Sequence, residues 1–261
     1  LGGRSVPSSM NMVGHGRHRE DRASNHVRVA RRYNLGPAAE VRSWSHQSIF
    51  LFGANRMSEA TMTMDKGLDH TIIGESTKSF IDGQKGVLEY VGIDIDSLAR
   101  NSTFEETCYL LLNDRLPTPA ELEAFTTRIR SHYDLSDYMW AALEALPIAA
   151  PPMHVLQTMV SMLSLDDPDC DDQSLVAEEK KAIRILAATP AIIANFDRLR
   201  RGESFVRPDA NDNVATSFLR MLNGTTPGEA SAKALDVCLV LHADHGINAS
   251  TFATMVVVGT E

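Results

Sequence analysis

The sequence predicts a mainly α-helical fold, a multi-helical large domain with one small N-terminal β-hairpin. Three observations predict it. Apolar residues recur at spacings of three and four through most of the chain after residue 100. Several of those stretches open on Ser/Thr, Pro and Glu in the order that starts a helix. Short apolar arms flank a glycine-containing turn at one place only.

The hairpin comes first. Residues 79–82 (Ser-Phe-Ile-Asp) and 87–90 (Val-Leu-Glu-Tyr) lie on either side of Gly83-Gln84-Lys85-Gly86, a turn that glycine can close. Ser102 and Thr103 then precede Glu105 and Glu106 at capping-box spacing, with Phe104, Cys108, Leu111 and Leu112 repeating behind them. Thr118-Pro119-Ala120-Glu121 is a cleaner start, with proline at the first helical position, and Leu122, Phe125 and Ile129 form its apolar stripe. Met153, Leu156, Val160 and Leu163 make another stripe, as do Val214, Phe218 and Leu222. A long helical run between Leu175 and Arg201 contains Pro190, where a kink or break is expected. Thr226-Pro227-Gly228-Glu229 repeats the start signal ahead of Leu235, Cys238, Leu239 and His242. No repeat period runs through these helices, which excludes a solenoid. The acidic segment 166–172 reads as a solvated turn, because it lacks the glycine and terminal glutamate of a calcium loop.

Composition excludes several classes of function. The chain has 261 residues, 43% of them hydrophobic, enough to bury a substantial core. No apolar run approaches the roughly 20 residues that span a bilayer, so a soluble protein without a membrane partner is expected. Cys108, Cys170 and Cys238 are widely spaced and form no CxxC pair, which points to buried free thiols in a reducing compartment. The net charge of −9 is unevenly spread. Residues 1–56 hold nine Lys/Arg against three Asp/Glu, and the rest holds sixteen against thirty-one. An acidic body argues against a nucleic-acid surface.

The first 56 residues differ in kind. Nine arginines and no lysine stand among Ser, Gly and His, with almost no helical periodicity. A basic nucleic-acid arm would want more aromatic residues, and a transit peptide fewer acids than Glu20, Asp21 and Glu40. Upstream sequence read through from a later start at Met57, Met62 or Met64 is the favoured reading, with disorder expected under all three. The expected organisation is therefore a disordered or spurious extension over 1–66 and a helical domain over 67–261.

One segment concentrates chemistry: His242-Ala243-Asp244-His245-Gly246-Ile247-Asn248-Ala249-Ser250-Thr251. Continuing the preceding helix through it sets His242 and His245 on nearly one side. Gly246 permits a break, and Asn248 with Ser250 can cap a further helix through Phe252 and Val256. A histidine pair of this kind serves as a metal site, as two satisfied core residues, or as an anion site. No third metal ligand is near, and a helix start offers free N–H groups and a positive dipole end, so a site for a small dicarboxylate is favoured.

These residues carry a family resemblance. His242-Ala243-Asp244-His245 followed by Asn248-Ala249-Ser250-Thr251 resembles the citrate synthase signature in its bacterial form. Residues 80–90 resemble that family's N-terminal hairpin. Residues 102–106, 110–113 and 116–118 resemble its next helix and turn, and Arg207-Pro208-Asp209 before residues 218–222 also fits. The agreement runs in family order from about residue 68 to Glu261. It departs at Pro151-Pro152-Met153-His154, where the family has His-Pro-Met-Asp, a difference that touches helix capping.

The resemblance implies a citrate-synthase-like fold and condensation of acetyl-CoA with oxaloacetate to citrate and CoA, as in the tricarboxylic acid cycle. It implies acetyl-CoA as co-substrate with no bound cofactor or metal, and a homodimer; the want of a credible targeting segment and the reduced cysteines set the expectation of a cytoplasmic enzyme. His245 would bind oxaloacetate, with His242 beside it in a supporting place and Asn248 as a helper. The base aspartate and the two catalytic histidines of the family are expected beyond Glu261, so no catalytic residue is assigned within this chain. A truncated chain, inactive alone, is the corresponding expectation. Two alternatives stay open: a 2-methylcitrate synthase using propionyl-CoA, and a non-catalytic helical pseudo-enzyme or binding module.

Overall fold

The computed structural model describes residues 48–49 and 75–258, all within one compact unit, Ser45–Glu261. The expected boundary at residues 66 and 67, the candidate starts at Met57, Met62 and Met64, and the basic stretch apart from Ser48–Ile49 lie outside the described residues.

The strands stand at the front of the chain. β1 (Ser48–Ile49) pairs antiparallel with β2 (Glu75–Ser76). β3 (Ser79–Asp82), β4 (Val87–Tyr90) and β5 (Ile93–Asp94) form a three-stranded antiparallel sheet in that order, with Ser79 opposite Tyr90 and Tyr90 opposite Ile93. The hairpin expected from the sequence is β3–β4. Asp82 Oδ1 closes its turn by accepting from the N–H groups of Gln84 (3.1 Å) and Lys85 (3.0 Å). The tighter β4–β5 reversal places Val91 and Gly92 both at positive φ, 49° and 74°, as a two-residue primed turn requires. Valine is unfavourable there, and for that reason the sequence hides this turn.

Nine helices follow among the described residues. α1 (Ile95–Asn101) is capped by Asp94, whose side chain accepts from the N–H groups of Asp96 and Ser97. α2 (Phe104–Asn113) is capped by Thr103 through the Glu106 N–H, and α3 (Pro119–Arg130) by the full Thr118–Glu121 box. α4 (Asp137–Ala145) and α5 (Pro152–Met162) come next, and a 3-10 turn (Leu163–Asp166) follows α5. Then come α6 (Leu175–Arg200), α7 (Val214–Asn223), α8 (Glu229–Leu241) and α9 (Ala249–Val258).

α6 is the spine. Its 26 residues span about 39 Å at 1.5 Å per residue, and it packs against α3, α4, α5 and α7. Buried alanines at 187, 188, 191 and 194 let neighbours approach closely. One apolar cluster joins Trp140 and Leu143 of α4, Val155 and Met159 of α5, and Ile192 and Phe196 of α6 to Met221 of α7. A second joins Cys108 and Tyr109 of α2 and Phe125 and Ile129 of α3 to Ile183 and Val214.

Several expectations are corrected. Pro190 neither breaks nor divides α6. Proline costs the Leu186 carbonyl its partner, but burial of Ala187, Ala188, Ala191 and Ile192 on either side holds the helix together. The α5 stripe is offset from the one expected: Val155 and Met159 are buried, and Met153 is 70% exposed. Leu112 is likewise exposed, while Leu110 is buried. α8 begins at Glu229 with Gly228 as an N-cap that makes no side-chain bond. Thr226 instead accepts from Arg220 Nη1 at 2.7 Å, so it does not repeat the Thr118 cap. Of the thiols expected to be buried, only Cys108 is; Cys170 and Cys238 are exposed.

Candidate functional site

The candidate residues lie on the connection 242–248 between α8 and α9. The helix leaves its path at His242, not at Gly246 as the pattern suggests, so the two histidines do not share a helical face. His242 adopts φ −109° and ψ 9°, and its backbone N–H still reaches Cys238 O at 3.2 Å. Its ring Nδ1 lies 2.7 Å from that same carbonyl. A carbonyl oxygen only accepts, so Nδ1 carries the hydrogen, and Nε2 is the acceptor of the neutral ring. His242 thus ends α8 with both backbone and side chain, each donating to the Cys238 carbonyl.

Asp244 anchors the middle of the connection. Its Oδ1 accepts from Ser79 Oγ at 2.6 Å and from Gly246 N at 2.8 Å. The Tyr90 hydroxyl donates to Leu241 O at 3.2 Å and accepts from Asp244 N at 3.2 Å. Ser79 and Tyr90 are 2% and 0% exposed. Burial pushes the Tyr90 hydroxyl pKa up, so it stays a neutral donor and acceptor. Gly246, at φ 93°, turns the chain toward α9 through a region that side chains other than glycine rarely occupy.

His245 is exposed, and among the described residues it makes no hydrogen bond or ion pair. Asn248 caps α9: its Oδ1 accepts from Thr251 N at 2.8 Å and its backbone carbonyl from Phe252 N at 3.0 Å. The cap uses the amide oxygen and leaves Nδ2 as a donor. The first N–H groups of α9 have no partner within the helix, and they point with the positive end of its dipole toward the connection. An open recess of about 450 Å³ lies here, lined by Asn248, Ser250, Thr251, Thr254 and Met255. His245 is not among the residues that line this recess; Asn248 offers it an amide N–H beside the start of α9.

The structure brings His242, His245 and Asn248 to one connection but gives them different work. His242 ends one helix, Asn248 starts the next, and His245 stands free between them. Ser79 and Tyr90 are not among the residues that the sequence marks for the site. The signal that could have found them is their register, since each faces the other across β3 and β4. Among the described residues, no group of three or more His, Cys, Asp or Glu side chains could hold a metal ion, and no helix is long and apolar enough to cross a membrane.

Comparison with known proteins places the chain among relatives. The family model described as "Citrate synthase, C-terminal domain" matches residues 67–261. The citrate synthase of Haloferax volcanii is 44% identical over 201 residues, covering 76% of this chain and 53% of the relative. A 2-methylcitrate synthase of Mycobacterium tuberculosis is 37% identical over 196 residues, covering 75% and 49%. The chain spans about half the length of the curated relatives it matches. Among solved structures, citrate synthase from Pyrobaculum aerophilum superposes with a TM-score of 0.72 at 32% identity, over 82% of this chain and 56% of that one. Citrate synthase from Thermoplasma acidophilum, solved as a ternary complex with carboxymethyl coenzyme A and oxaloacetate, superposes with a TM-score of 0.67 at 26% identity, over 73% and 50%.

Proposed function

The chain belongs to the citrate synthase family, and on that premise we propose that the protein condenses acetyl-CoA with oxaloacetate to give citrate and free CoA. The part assigned to this chain is oxaloacetate binding through His245. The observation that carries the assignment is the placement of that ring, exposed and free of protein partners, between the Asp244 anchor and the start of α9.

In this reading the His245 ring donates to a substrate oxygen, and in its protonated form the bond is charge-assisted. Asn248 Nδ2 and the first N–H groups of α9 are the remaining donors for a carboxylate. His242 acts at one remove, by fixing the end of α8. Forming the enol of a thioester needs a positioned base and a donor for the developing oxyanion; neither role is assigned to a residue of this chain. Acetyl-CoA is the proposed co-substrate, with no resident cofactor, in a cytoplasmic homodimer. The ternary complex of the Thermoplasma acidophilum enzyme supports the pairing of a CoA thioester with oxaloacetate.

A second reading, condensation of propionyl-CoA to 2-methylcitrate, is supported by the Mycobacterium tuberculosis relative. The ratio of kcat/KM for acetyl-CoA and propionyl-CoA separates the two. The ligand class is tested by calorimetric titration of this chain with oxaloacetate. Saturable heat, suppressed by excess of another four-carbon dicarboxylate, supports the reading; heat no different from dilution counts against it.

A further inference from the structure

We propose that Ser79 and Tyr90, facing each other on the β3–β4 hairpin, are positioning residues for the dicarboxylate site, holding Asp244 and through it His245. The proposal rests on the reading of His245 as the oxaloacetate ligand.

The geometry of the connection carries it. Asp244 Oδ1 accepts the Gly246 N–H at 2.8 Å, closing a turn in which an Asp side chain bonds its own backbone two residues on. His245 is the central residue of that turn. It has no hydrogen bond of its own among the described residues, so the turn sets where its Cα–Cβ bond points and thereby the space its ring can reach. The same Oδ1 accepts from Ser79 Oγ at 2.6 Å, a bond shortened by the carboxylate charge. Tyr90 secures the other side. Its hydroxyl joins Leu241 O, at the end of α8, to Asp244 N, inside the connection.

Burial makes these two hydroxyls more than incidental contacts. Both residues are almost wholly excluded from solvent, so water cannot replace either bond at low cost. The hairpin itself is held to its own turn and to β5. A strand pair about 150 residues earlier in the chain therefore sets the conformation of the segment that presents His245. A cover with no positioning role would pack apolar side chains here; β3 and β4 instead turn one hydroxyl each toward the backbone and carboxylate of Asp244.

The test measures oxaloacetate affinity by calorimetry, with thermal unfolding alongside, for the unaltered chain, Ser79→Ala, Tyr90→Phe, Asp244→Ala, and Ser79→Ala combined with Asp244→Ala. The expected result is a Kd about tenfold higher in Ser79→Ala and in Tyr90→Phe, the equivalent of one charge-assisted or buried hydrogen bond. Helix content should be unchanged. Ser79→Ala should add little to the loss already caused by Asp244→Ala, because both changes break the same bond; a merely destabilising role would lower the unfolding temperature and leave the Kd of the folded chain unchanged. Should Ser79→Ala fail to fold, Tyr90→Phe decides alone. Binding within twofold of the unaltered chain in the variants that fold overturns the proposal and leaves the oxaloacetate reading standing. Absence of oxaloacetate binding by the unaltered chain overturns that reading and this one with it.

Discussion

Glu105 and Asp236 link three helices through the starts of two of them. Asp236 Oδ1, on α8, accepts from Phe104 N at 2.9 Å at the head of α2. Glu105 Oε1, on α2, accepts from Val214 N at 2.8 Å at the head of α7. Both carboxylates are 4% exposed, and each covers a helix N–H that would otherwise be orphaned in the interior. α8, whose far end carries the candidate site, is thereby fixed to the second apolar cluster.

Glu105 should give stability an unusual dependence on pH. Burial, joined by the nearby Asp236 charge, holds its carboxyl above the ordinary value of 4.5 despite the bond from Val214 N. The folded chain then holds this proton more tightly than the unfolded chain does, so the contribution falls as pH rises above 4.5 through the folded value. Urea unfolding between pH 4 and 7 should show that fall flattened in Glu105→Gln. Glu105→Ala, which orphans the Val214 N–H, should cost about 1–3 kcal/mol throughout.

The Thr118–Glu121 box has the opposite sign. The Arg115 guanidinium and the Thr118 N–H bring the Glu121 carboxyl down to about 2. Its contribution is present above the ordinary value of 4.5 and is lost as pH falls toward 2. Solvent screening keeps it small, but Glu121→Gln should remove that acid-side slope. Thr118→Ala should lower stability by about 1 kcal/mol. Thermal unfolding across pH 2 to 5 reads both.

Asn195 is the polar residue whose loss should be felt most. It is fully buried. Its Nδ2 donates to Ala191 O at 3.0 Å and Val206 O at 3.1 Å, and its Oδ1 accepts from Val206 N at 2.8 Å. Asn195→Ala leaves the Val206 groups without these partners and opens a void, a loss of about 3 kcal/mol. A loss below 1 kcal/mol in denaturant unfolding would contradict this account of the α6–α7 connection.

The thiols should separate by exposure. Cys170 and Cys238 are exposed and Cys108 is buried, with burial pushing the Cys108 thiol pKa up. Ellman's reagent should label two thiols of the folded chain promptly and the third only after unfolding.

Local patterns announced much of this fold. The β3–β4 hairpin, the Thr118 box and the Asn248 cap depend on residues within a few positions of one another, and all three were legible. α1 and α4 were not. One is only 7 residues long, and the other starts at Ser136 without a side-chain cap bond. The offset of the α5 stripe and the continuity of α6 through Pro190 were decided by which neighbours pack against them. The site divides in the same way. His242, Asp244, His245 and Asn248 were visible as one motif. The bond from Ser79 to Asp244 crosses 165 residues of sequence, and no spacing rule reaches that far.

The assignment of His245 as the oxaloacetate ligand is tested most directly by the Kd for oxaloacetate in His245→Ala beside that in His242→Ala. Losing a charge-assisted hydrogen bond should raise the Kd about 10- to 100-fold in His245→Ala. His242→Ala, which removes only a bond to Cys238 O, should stay within a few-fold of the unaltered chain. Binding by His245→Ala as tight as that of the unaltered chain would contradict the assignment.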